Sequence, residues 1–420
     1  MSSSTGGTAQ AIAVPATAST AGSRRHGAGF WLIALAFATA MAFSTVPTPL
    51  YPLYMARDGF STFMVTIVFA AYAVGVIIAL ILAGHVSDWL GRKTILIPAL
   101  VLELVSAALF LTDPALPVLI VARLVSGLGI GLITSTATAH LHELNAAHRR
   151  APSPQRFEIV STAANIGGLG FGPLIAGALA QWVGLPLLVP YAVFAALLVI
   201  SVVAVLLTPE TVAEQPVRPA YRPQRISANH GDPAGYIAAA AAGFTSFAIF
   251  GLFTSVAPGF VAGTLHHPAR ILAGVIVFAV FGGAAIAQTT TVRMTATEKR
   301  YVGLIAQAVG VVTLVAGMYT ANLAAFLVGG VAAGIGAGVL FKSAIGSVVA
   351  MAAPAKRGEA LAGLFLIAYL GITFPVIGIG VAVRSVAATT VMTWFGGILL
   401  VVLVGVAVLA RRGTRVTTRP

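Results

Sequence analysis

The chain has 420 residues, of which 58% are hydrophobic and 8% charged, and its mean hydropathy is +0.98. A water-soluble protein of this composition would lack the polar residues to cover its surface, so the long apolar runs belong in lipid. The sequence contains no Cys, which excludes disulfides and thiolate metal or redox sites. The net charge of +13 is high enough for a nucleic-acid partner, so the positions of the basic residues along the chain decide its meaning.

Twelve apolar runs of about 20 residues, the length that crosses a bilayer, follow a polar N-terminal segment. Segment 1–27 is rich in Ser, Thr, Ala and Gly and is predicted to be a disordered cytoplasmic tail. The predicted spans lie near residues 30–50, 63–84, 94–112, 117–139, 158–180, 186–207, 235–257, 270–290, 301–319, 322–349, 359–382 and 389–409. The sequence therefore predicts an all-α integral membrane protein with twelve transmembrane helices.

A polar segment with several prolines, 208–233, divides the spans into two sets of six. We interpret it as a cytoplasmic linker between an N-terminal six-helix bundle, 28–207, and a C-terminal one, 234–410, followed by a cytoplasmic tail at 411–420. The sequence Phe-Ser-Thr-Val-Pro in span 1 resembles Phe-Thr-Ser-Val-Ala-Pro in span 7. Such internal repetition is typical of transporters built from two pseudosymmetric bundles.

Lys and Arg are unevenly distributed between the two sides of the predicted membrane. With the N-terminus inside, nineteen of the 24 lie in inner segments, whereas the outer loops hold only Arg57, Arg270 and Arg384. Arg123 and Lys342 fall inside spans. The basic charge is thus a topology signal. It predicts a multi-pass protein of the cytoplasmic membrane with both termini cytoplasmic, and it does not indicate a nucleic-acid partner.

A charged turn between spans 2 and 3 carries the most specific motif. Its pattern G-x-x-x-D-x-x-G-R-K is formed by Gly84, Asp88, Gly91, Arg92 and Lys93. It resembles the signature loop of the major facilitator superfamily, whose members are twelve-helix secondary transporters. An ordinary hairpin with positive-inside charges is the alternative interpretation, but it leaves the carboxylate unexplained.

The resemblance implies that the loop acts as a gate between the two bundles. Asp88 is expected to dock at the positive N-terminal end of span 11, near Glu359, when the cavity faces outward. It would then be a latch that breaks during transport. Glu143, just beyond span 4, is predicted to be a second partner of Arg92.

Span 4 begins with the pattern R-x-x-x-G-x-G-x-G, in which Arg123 precedes Gly127, Gly129 and Gly131. This also matches a pattern of the family. A buried Arg is costly in lipid, so it should face the bundle interior or a wet cavity, where it organises polar neighbours or helps to relay protons. The alternative is that Arg123 snorkels to the outer surface. The glycines are expected to allow close helix packing.

Span 5 contains Gly168, Gly172, Pro173 and Gly177 in a pattern that resembles the family's antiporter motif G-x-x-x-G-P-x-x-G-G, with Ala176 replacing one Gly. In the family this motif accompanies exporters. The proline in mid-helix frees a backbone carbonyl and bends the span. Small-residue packing alone is the alternative interpretation.

Glu103 is the carboxyl group nearest to the middle of the predicted membrane and, with Arg123, the candidate for proton coupling. A structural, hydrogen-bonded role is the alternative. Span 1 lacks the acid that many drug:proton antiporters carry there. Further candidates for the substrate cavity are polar residues of spans 1, 4, 5, 7, 10 and 11: Thr45, Tyr51, Thr134, Thr138, Asn165, Thr254, Ser255, Lys342, Tyr369 and Thr373.

The family resemblance covers about residues 30–410 and implies a secondary active transporter that moves a small organic solute by alternating access. The predicted function is proton-coupled export of drugs or metabolites, as in the drug:proton antiporters. Import of a sugar or organic acid is the alternative, and a non-transporting membrane sensor a further one. No enzyme site, metal site or cofactor motif is visible, and no phosphate-binding loop indicates ATP. The expected partners are the substrate, protons and the lipid bilayer, with the monomer as the working unit.

Overall fold

The computed structural model describes residues 17–112, 115–148, 153–213, 221–226 and 232–416, with the side chains of all but residues 17–23, 355 and 412–416. Regular structure in these ranges is helical throughout. Twelve of the described helices are long and apolar enough to cross a membrane, which confirms the predicted fold class. Because lipid offers no water as a hydrogen-bond partner, the backbone N–H and C=O groups must bond to each other, and a helix achieves this within each span.

The N-terminal bundle consists of spans 1–6. Span 1 is Thr17–Thr45, followed by the short helices Thr48–Leu50 and Tyr51–Asp58. Spans 2, 3 and 4 are Thr62–Ala83, Arg92–Thr112 and Leu116–His148, and the short helix Ser87–Leu90 lies between spans 2 and 3. Span 5 consists of Pro154–Thr162, a π-helical turn at Ala163–Gly167 and Gly168–Trp182; span 6 is Val189–Leu207.

The C-terminal bundle consists of spans 7–12. Span 7 is Pro233–Ser255, extended by the short helix Ala257–Gly263. Spans 8, 9 and 10 are Arg270–Thr290, Ala296–Tyr319 and Leu323–Met351. A short 3₁₀ turn at Pro354–Lys356 precedes span 11, Arg357–Ala382, and span 12 is Ala388–Val416.

The first helix begins within the segment that the sequence predicts to be disordered. Residues 17–27 belong to span 1, whereas residues 1–16 lie outside the described part of the chain. Extending an existing helix avoids the cost of nucleation, so a segment of ordinary helix propensity follows the apolar span that it joins. The predicted C-terminal tail is likewise helical as far as Val416.

Buried apolar residues form separate cores in the two halves. One large cluster lies in spans 1–6, and two further clusters lie in spans 7–12. A small fourth cluster joins the halves through Phe69 and Ala73 of span 2 and Ile372 and Val376 of span 11. The bundles meet where span 2 packs on span 11 and where span 5 packs on span 8, and a cavity lies between them.

The antiparallel spans give the molecule two ends, which we name by residues. The Asp88 end carries the turn between spans 2 and 3, and the Arg270 end carries the start of span 8. The Asp88 end corresponds to the side that the distribution of Lys and Arg predicts to be cytoplasmic.

Candidate functional site

The two bundles enclose a cavity lined by spans 1, 2, 4, 5, 7, 8, 10 and 11, which we call the deep cavity. Its C-terminal wall is aromatic and is formed by Phe247, Phe250, Phe281, Phe341, Phe365 and Tyr369. Phe247 lies edge-on to Tyr369, with 5.3 Å between the ring centres, and Phe250 stacks on Phe281 at 4.8 Å. The N-terminal wall adds Phe69 and Tyr72. An aromatic lining with few polar groups is typical of sites for apolar organic ligands.

Five of the predicted cavity residues line the deep cavity: Thr45, Thr134, Asn165, Thr254 and Tyr369. Two others, Thr138 and Lys342, line a second cavity that shares part of its wall with the first. This second cavity, the mouth cavity, extends toward the Asp88 end between Leu80 and Ile345. Seven of the ten residues predicted for the substrate cavity thus line one of the two cavities, whereas most of the lining residues, including the phenylalanines, were not predicted.

Three predicted residues lie outside both cavities and are removed from the candidate set. Tyr51 is 3% exposed in the short helix that follows span 1. The Ser255 and Thr373 hydroxyls donate to carbonyl oxygens of their own helices, at 2.6 and 2.8 Å. Sequence alone does not set the rotation of a helix that is apolar on every side, so neighbouring polar residues cannot be told apart.

Arg123 lies in the wall of the deep cavity and is only 2% exposed. Its Nη1 donates to the carbonyl oxygen of Ser44 at 2.5 Å. Its guanidinium lies over the rings of Tyr72 and Phe69, 4.4 and 5.6 Å from their centres, in cation–π geometry. Arg123 therefore faces the bundle interior, and the snorkelling alternative does not apply.

Span 4 can lie close to spans 2 and 3 because its glycines have no side chain at the points where the helices cross. A Cβ on Gly127 would stand 2.1 Å from the carbonyl oxygen of Tyr72 in span 2. A Cβ on Gly131 would meet Ala79 of the same span, and one on Gly129 would meet Glu103 of span 3. The three glycines thus bring spans 2, 3 and 4 into backbone contact.

Glu103 is fully buried between spans 3 and 4 and lines neither cavity. Its Oε2 accepts a hydrogen bond from the Ser126 hydroxyl at 2.9 Å, and its Oε1 has no partner among the described residues. Glu103 thus has the hydrogen bond that the structural alternative requires, and its role in proton coupling stays a prediction.

The span 5 motif places small residues against two partner helices. Gly168 and Gly172 pack on span 1, where a Cβ on Gly172 would collide with the carbonyl oxygen of Ala42. Gly177 and the carbonyl of Pro173 pack on Gly274 of span 8, in the other bundle. The preceding π-helical turn presents Asn165 and Ile166 to the deep cavity. Such turns are frequent at functional sites.

At the Arg270 end the two bundles are joined by polar contacts. The Thr48 hydroxyl donates to the carbonyl oxygen of Thr254 at 2.9 Å. Arg270 donates from Nη1 to the carbonyl oxygen of Ala180 at 2.6 Å and from its backbone N–H to Gln181 at 2.9 Å. The structure is therefore closed at the Arg270 end, and its cavity continues toward the Asp88 end.

One ion pair connects the bundles within the described part of the chain. Lys342 Nζ of span 10 lies 3.0 Å from Glu158 Oε2 of span 5, and it also donates to the carbonyl oxygen of Gln288 at 3.1 Å. Both side chains line the mouth cavity and are partly exposed. The pair lies across the route from the deep cavity to the Asp88 end.

The signature loop forms a charge network at the Asp88 end. Arg92 pairs with Asp88 at 2.6 Å and with Glu143 at 2.7 Å, which is the second partner that the sequence predicts. The Asp88 side chain is 63% exposed and contacts Arg92 of its own loop. Its docking on span 11 is expected of the opposite conformation, so it stays a prediction.

Glu210, which follows span 6, completes this network and was not predicted. Its carboxylate accepts hydrogen bonds from the backbone N–H groups of Arg92 and Lys93, at 3.0 and 2.9 Å, and so caps the start of span 3. It also lies beside Gly91, whose φ of 103° is accessible mainly to glycine. The signal that could have found it is an acid directly after a span, in a chain with 11 Asp and Glu in total.

The described linker residues bridge the bundles at the same end. Gln224 donates its backbone N–H to the carbonyl oxygen of Ile81 at 2.7 Å, and the Tyr221 hydroxyl donates to that of Leu82 at 2.9 Å. Ile226 lies beside Gly363 of span 11. The linker thus runs from the end of span 2 toward the start of span 11.

Comparisons with known proteins agree with this architecture. The sequence model of the Major Facilitator Superfamily matches residues 32–316. The chain therefore belongs to the Major Facilitator Superfamily, and it is a multi-pass membrane protein. Structures of the human organic anion transporter MFSD10 (TETRAN) and of a mutant of the nucleoside transporter NupG match with TM-scores of 0.67 and 0.69. They are 16% and 13% identical, and each match covers 91% of this chain and 99% of the other.

Curated relatives match over shorter stretches. An uncharacterized MFS-type transporter of Mycobacterium tuberculosis is 31% identical over 157 residues, 37% of this chain and 26% of that protein. The quinolone resistance protein NorA of Staphylococcus aureus is 27% identical over 133 residues, 32% of this chain and 33% of that protein. D-xylose-proton symporter-like 1 of Arabidopsis thaliana is 32% identical over 108 residues, which are 26% of this chain and 22% of that protein. The chain thus matches about a quarter to a third of these relatives' lengths.

The Glu210 cap should make stability depend on pH. Burial raises the pKa of the Glu210 carboxyl, but hydrogen bonds from four backbone N–H groups outweigh burial and hold the pKa below its ordinary value. Its stabilisation is therefore complete above the ordinary pKa and is lost as the pH falls through the lowered one. We expect Glu210→Gln to lower the free energy of unfolding by about 0.5–2 kcal/mol at neutral pH.

Thermal unfolding of the detergent-purified protein at neutral and acidic pH measures this difference. The difference in stability between the two proteins should shrink in acid, because the wild-type Glu210 carboxyl is then protonated and, like the Gln side chain, uncharged. Equal stability of the Glu210→Gln and wild-type proteins at neutral pH would show that the cap contributes nothing.

The Glu158–Lys342 pair should restrict access to the mouth cavity. Because the chain has no Cys, a single cysteine at Thr138 reports that access through its alkylation by a water-soluble maleimide. Glu158→Lys or Lys342→Glu should raise the alkylation rate, and the double exchange should restore it. The change should be a few-fold at most, because partly exposed pairs contribute about 0.2–1 kcal/mol. A double exchange that alkylates as fast as the single variants would rule out the pairing as the restriction.

Proposed function

We propose that this protein is a secondary active transporter that exports small organic compounds across the cytoplasmic membrane in exchange for protons. The observation that carries the proposal is the deep cavity between the two bundles, which polar contacts close at the Arg270 end and which shares part of its wall with the mouth cavity on the side of the Asp88 end. A cavity with one closed end is what alternating access requires, since rocking of the bundles opens the other end.

Two observations favour export over import. The span 5 motif resembles the antiporter motif, and its glycines pack against spans 1 and 8. The match to the quinolone resistance protein NorA of Staphylococcus aureus, although it covers a third of that protein, favours a drug or drug-like substrate. The aromatic wall of the deep cavity suits such apolar compounds.

The geometry favours Glu158 over Glu103 as the group that couples transport to protons. Glu103 lines neither cavity, whereas Glu158 lines the mouth cavity and pairs with Lys342 of the other bundle. Protonation of Glu158 removes the charge that holds Lys342, so it frees the bundles to separate at this end. Proton binding and bundle movement are then linked through one contact between the halves.

Import of a sugar or organic acid is the second candidate. The partial match to D-xylose-proton symporter-like 1 of Arabidopsis thaliana favours it. Against it, the hydroxyls of Ser44, Thr45, Thr134 and Thr254 in the wall of the deep cavity already donate to backbone carbonyl oxygens, whereas a sugar needs a partner for each hydroxyl.

Proteoliposomes that contain a trapped pH indicator test the proposal even while the substrate is unidentified. A library of drugs and metabolites is added under an imposed pH gradient, with protein-free liposomes as the control. We expect some compounds to discharge the gradient in the direction of exchange, and a protonophore to abolish their flux. Glu158→Gln should remove the proton signal, and Glu103→Gln should retain it.

Each alternative gives a different result. If the flux of a transported compound does not depend on the pH gradient, transport is not coupled to protons. Proton movement in the same direction as the compound would indicate import by symport. Loss of coupling in Glu103→Gln but not in Glu158→Gln would return the coupling role to Glu103.

A further inference from the structure

The deep cavity contains a buried positive charge, Arg123, that has no ion-pair partner among the described residues. Arg123 makes one hydrogen bond among the described residues, to the uncharged carbonyl of Ser44, and its Nε is buried without a partner. The neighbouring carboxyl, Glu103, bonds Ser126 and makes no ion pair with Arg123. Cation–π contacts with Tyr72 and Phe69 offset part of the cost of burial, but they supply no counter-charge.

The other charges near the cavities already have partners. Lys342 pairs with Glu158 in the mouth cavity. Arg92 pairs with Asp88 and Glu143 outside both cavities. Among the described residues that line the two cavities, Arg123 is therefore the charge without an ion-pair partner, and the described lining of the deep cavity carries a net positive charge.

The surroundings of Arg123 define the rest of the ligand. The walls opposite the guanidinium are formed by aromatic rings, including Phe247, Phe250 and Tyr369, and the uncharged polar groups are few. A planar apolar body fits between such rings, because offset and edge-on ring contacts are favourable. A guanidinium fork matches a carboxylate in shape and charge.

We propose that the deep cavity binds small aromatic monoanions, with the carboxylate on Arg123 and the ring among the phenylalanines. This inference rests on the proposed transport function and specifies its substrate class. Arg123 is then a specificity-determining residue: it selects anions over neutral or cationic compounds of the same shape. The anion supplies the counter-charge that the free protein lacks.

Three probes of one shape separate charge from hydrophobic fit: cinnamate, its neutral amide cinnamamide, and the cationic cinnamylamine. Binding to the full-length protein in detergent is measured by isothermal titration calorimetry, with protein-free detergent as the blank. We expect cinnamate to bind roughly ten- to a hundredfold more tightly than cinnamamide, the range for hydrogen bonds to a charged partner. Cinnamylamine should bind most weakly.

Variants locate the charge that makes the difference. Arg123→Gln should abolish the preference for cinnamate over cinnamamide, and Arg123→Lys should retain part of that preference. Arg156→Gln is the matched control, because Arg156 also lies over two rings, Phe30 and Trp31, but outside both cavities. It should keep the wild-type order of affinities.

Several outcomes would overturn the inference. One is equal affinity of the wild-type protein for cinnamate and cinnamamide, which needs no folded variant. Another is tighter binding of cinnamylamine, and a third is an unchanged preference in Arg123→Gln. Because these are equilibrium measurements, they are independent of proton coupling. An exporter of neutral compounds would show no preference for cinnamate in the titrations but would still move protons in the proteoliposomes. A protein that prefers cinnamate but does not move protons would support the binding site and contradict the proposed proton exchange.

Discussion

Close backbone contact at helix crossings is the constraint on which this structure depends. Apolar side chains gain little by leaving lipid for another helix, since both surroundings are equally apolar, so association depends on packing and hydrogen bonds. Gly127 meets span 2, Gly172 meets span 1, and Gly274 meets span 5 of the other bundle, each at a distance that a Cβ would not allow. These crossings hold the cavity walls in place, and one of them also joins the two bundles.

The second constraint is that a buried charge needs compensation, and the protein meets it differently at three places. Arg92 has two carboxylate partners in a fixed loop. Lys342 has one partner, from the opposite bundle, so its compensation depends on the conformation. Arg123 has only a carbonyl and two rings. Of these three residues, Arg123 is the one that lines the deep cavity, and it has no ion-pair partner among the described residues.

Much of the fold and part of the site could be predicted from the sequence. The spans follow from hydropathy, since only continuous helices satisfy the backbone in lipid. The inward position of Arg123 follows from the high cost of an isolated charge in a membrane. The pairing of Arg92 with Glu143 was predicted from the position of this acid just beyond span 4. The aromatic wall was missed because a span that is apolar on every side does not reveal its rotation.

The remaining misses have related causes. Tyr51, Ser255 and Thr373 are polar residues of the expected regions whose hydroxyls do not reach the cavity, which only their helix orientation decides. Glu210 lies in a segment without periodicity, where no pattern indicates which helix it caps. The partners Glu158 and Lys342 are 184 residues apart, and their contact depends on how two bundles meet.

Alternating access requires that the two bundles move in opposite senses at their two ends around the deep cavity. Because the chain lacks Cys, spin labels can be placed in pairs on exposed residues of opposite bundles: Gly184 with His267 at the Arg270 end, and Gln155 with Met294 at the Asp88 end. Double electron–electron resonance then measures both distances in lipid nanodiscs at neutral and acidic pH. We expect a change of pH to lengthen one distance and to shorten the other. Distances that stay constant, or that change together in the same direction, would contradict alternating access by this chain.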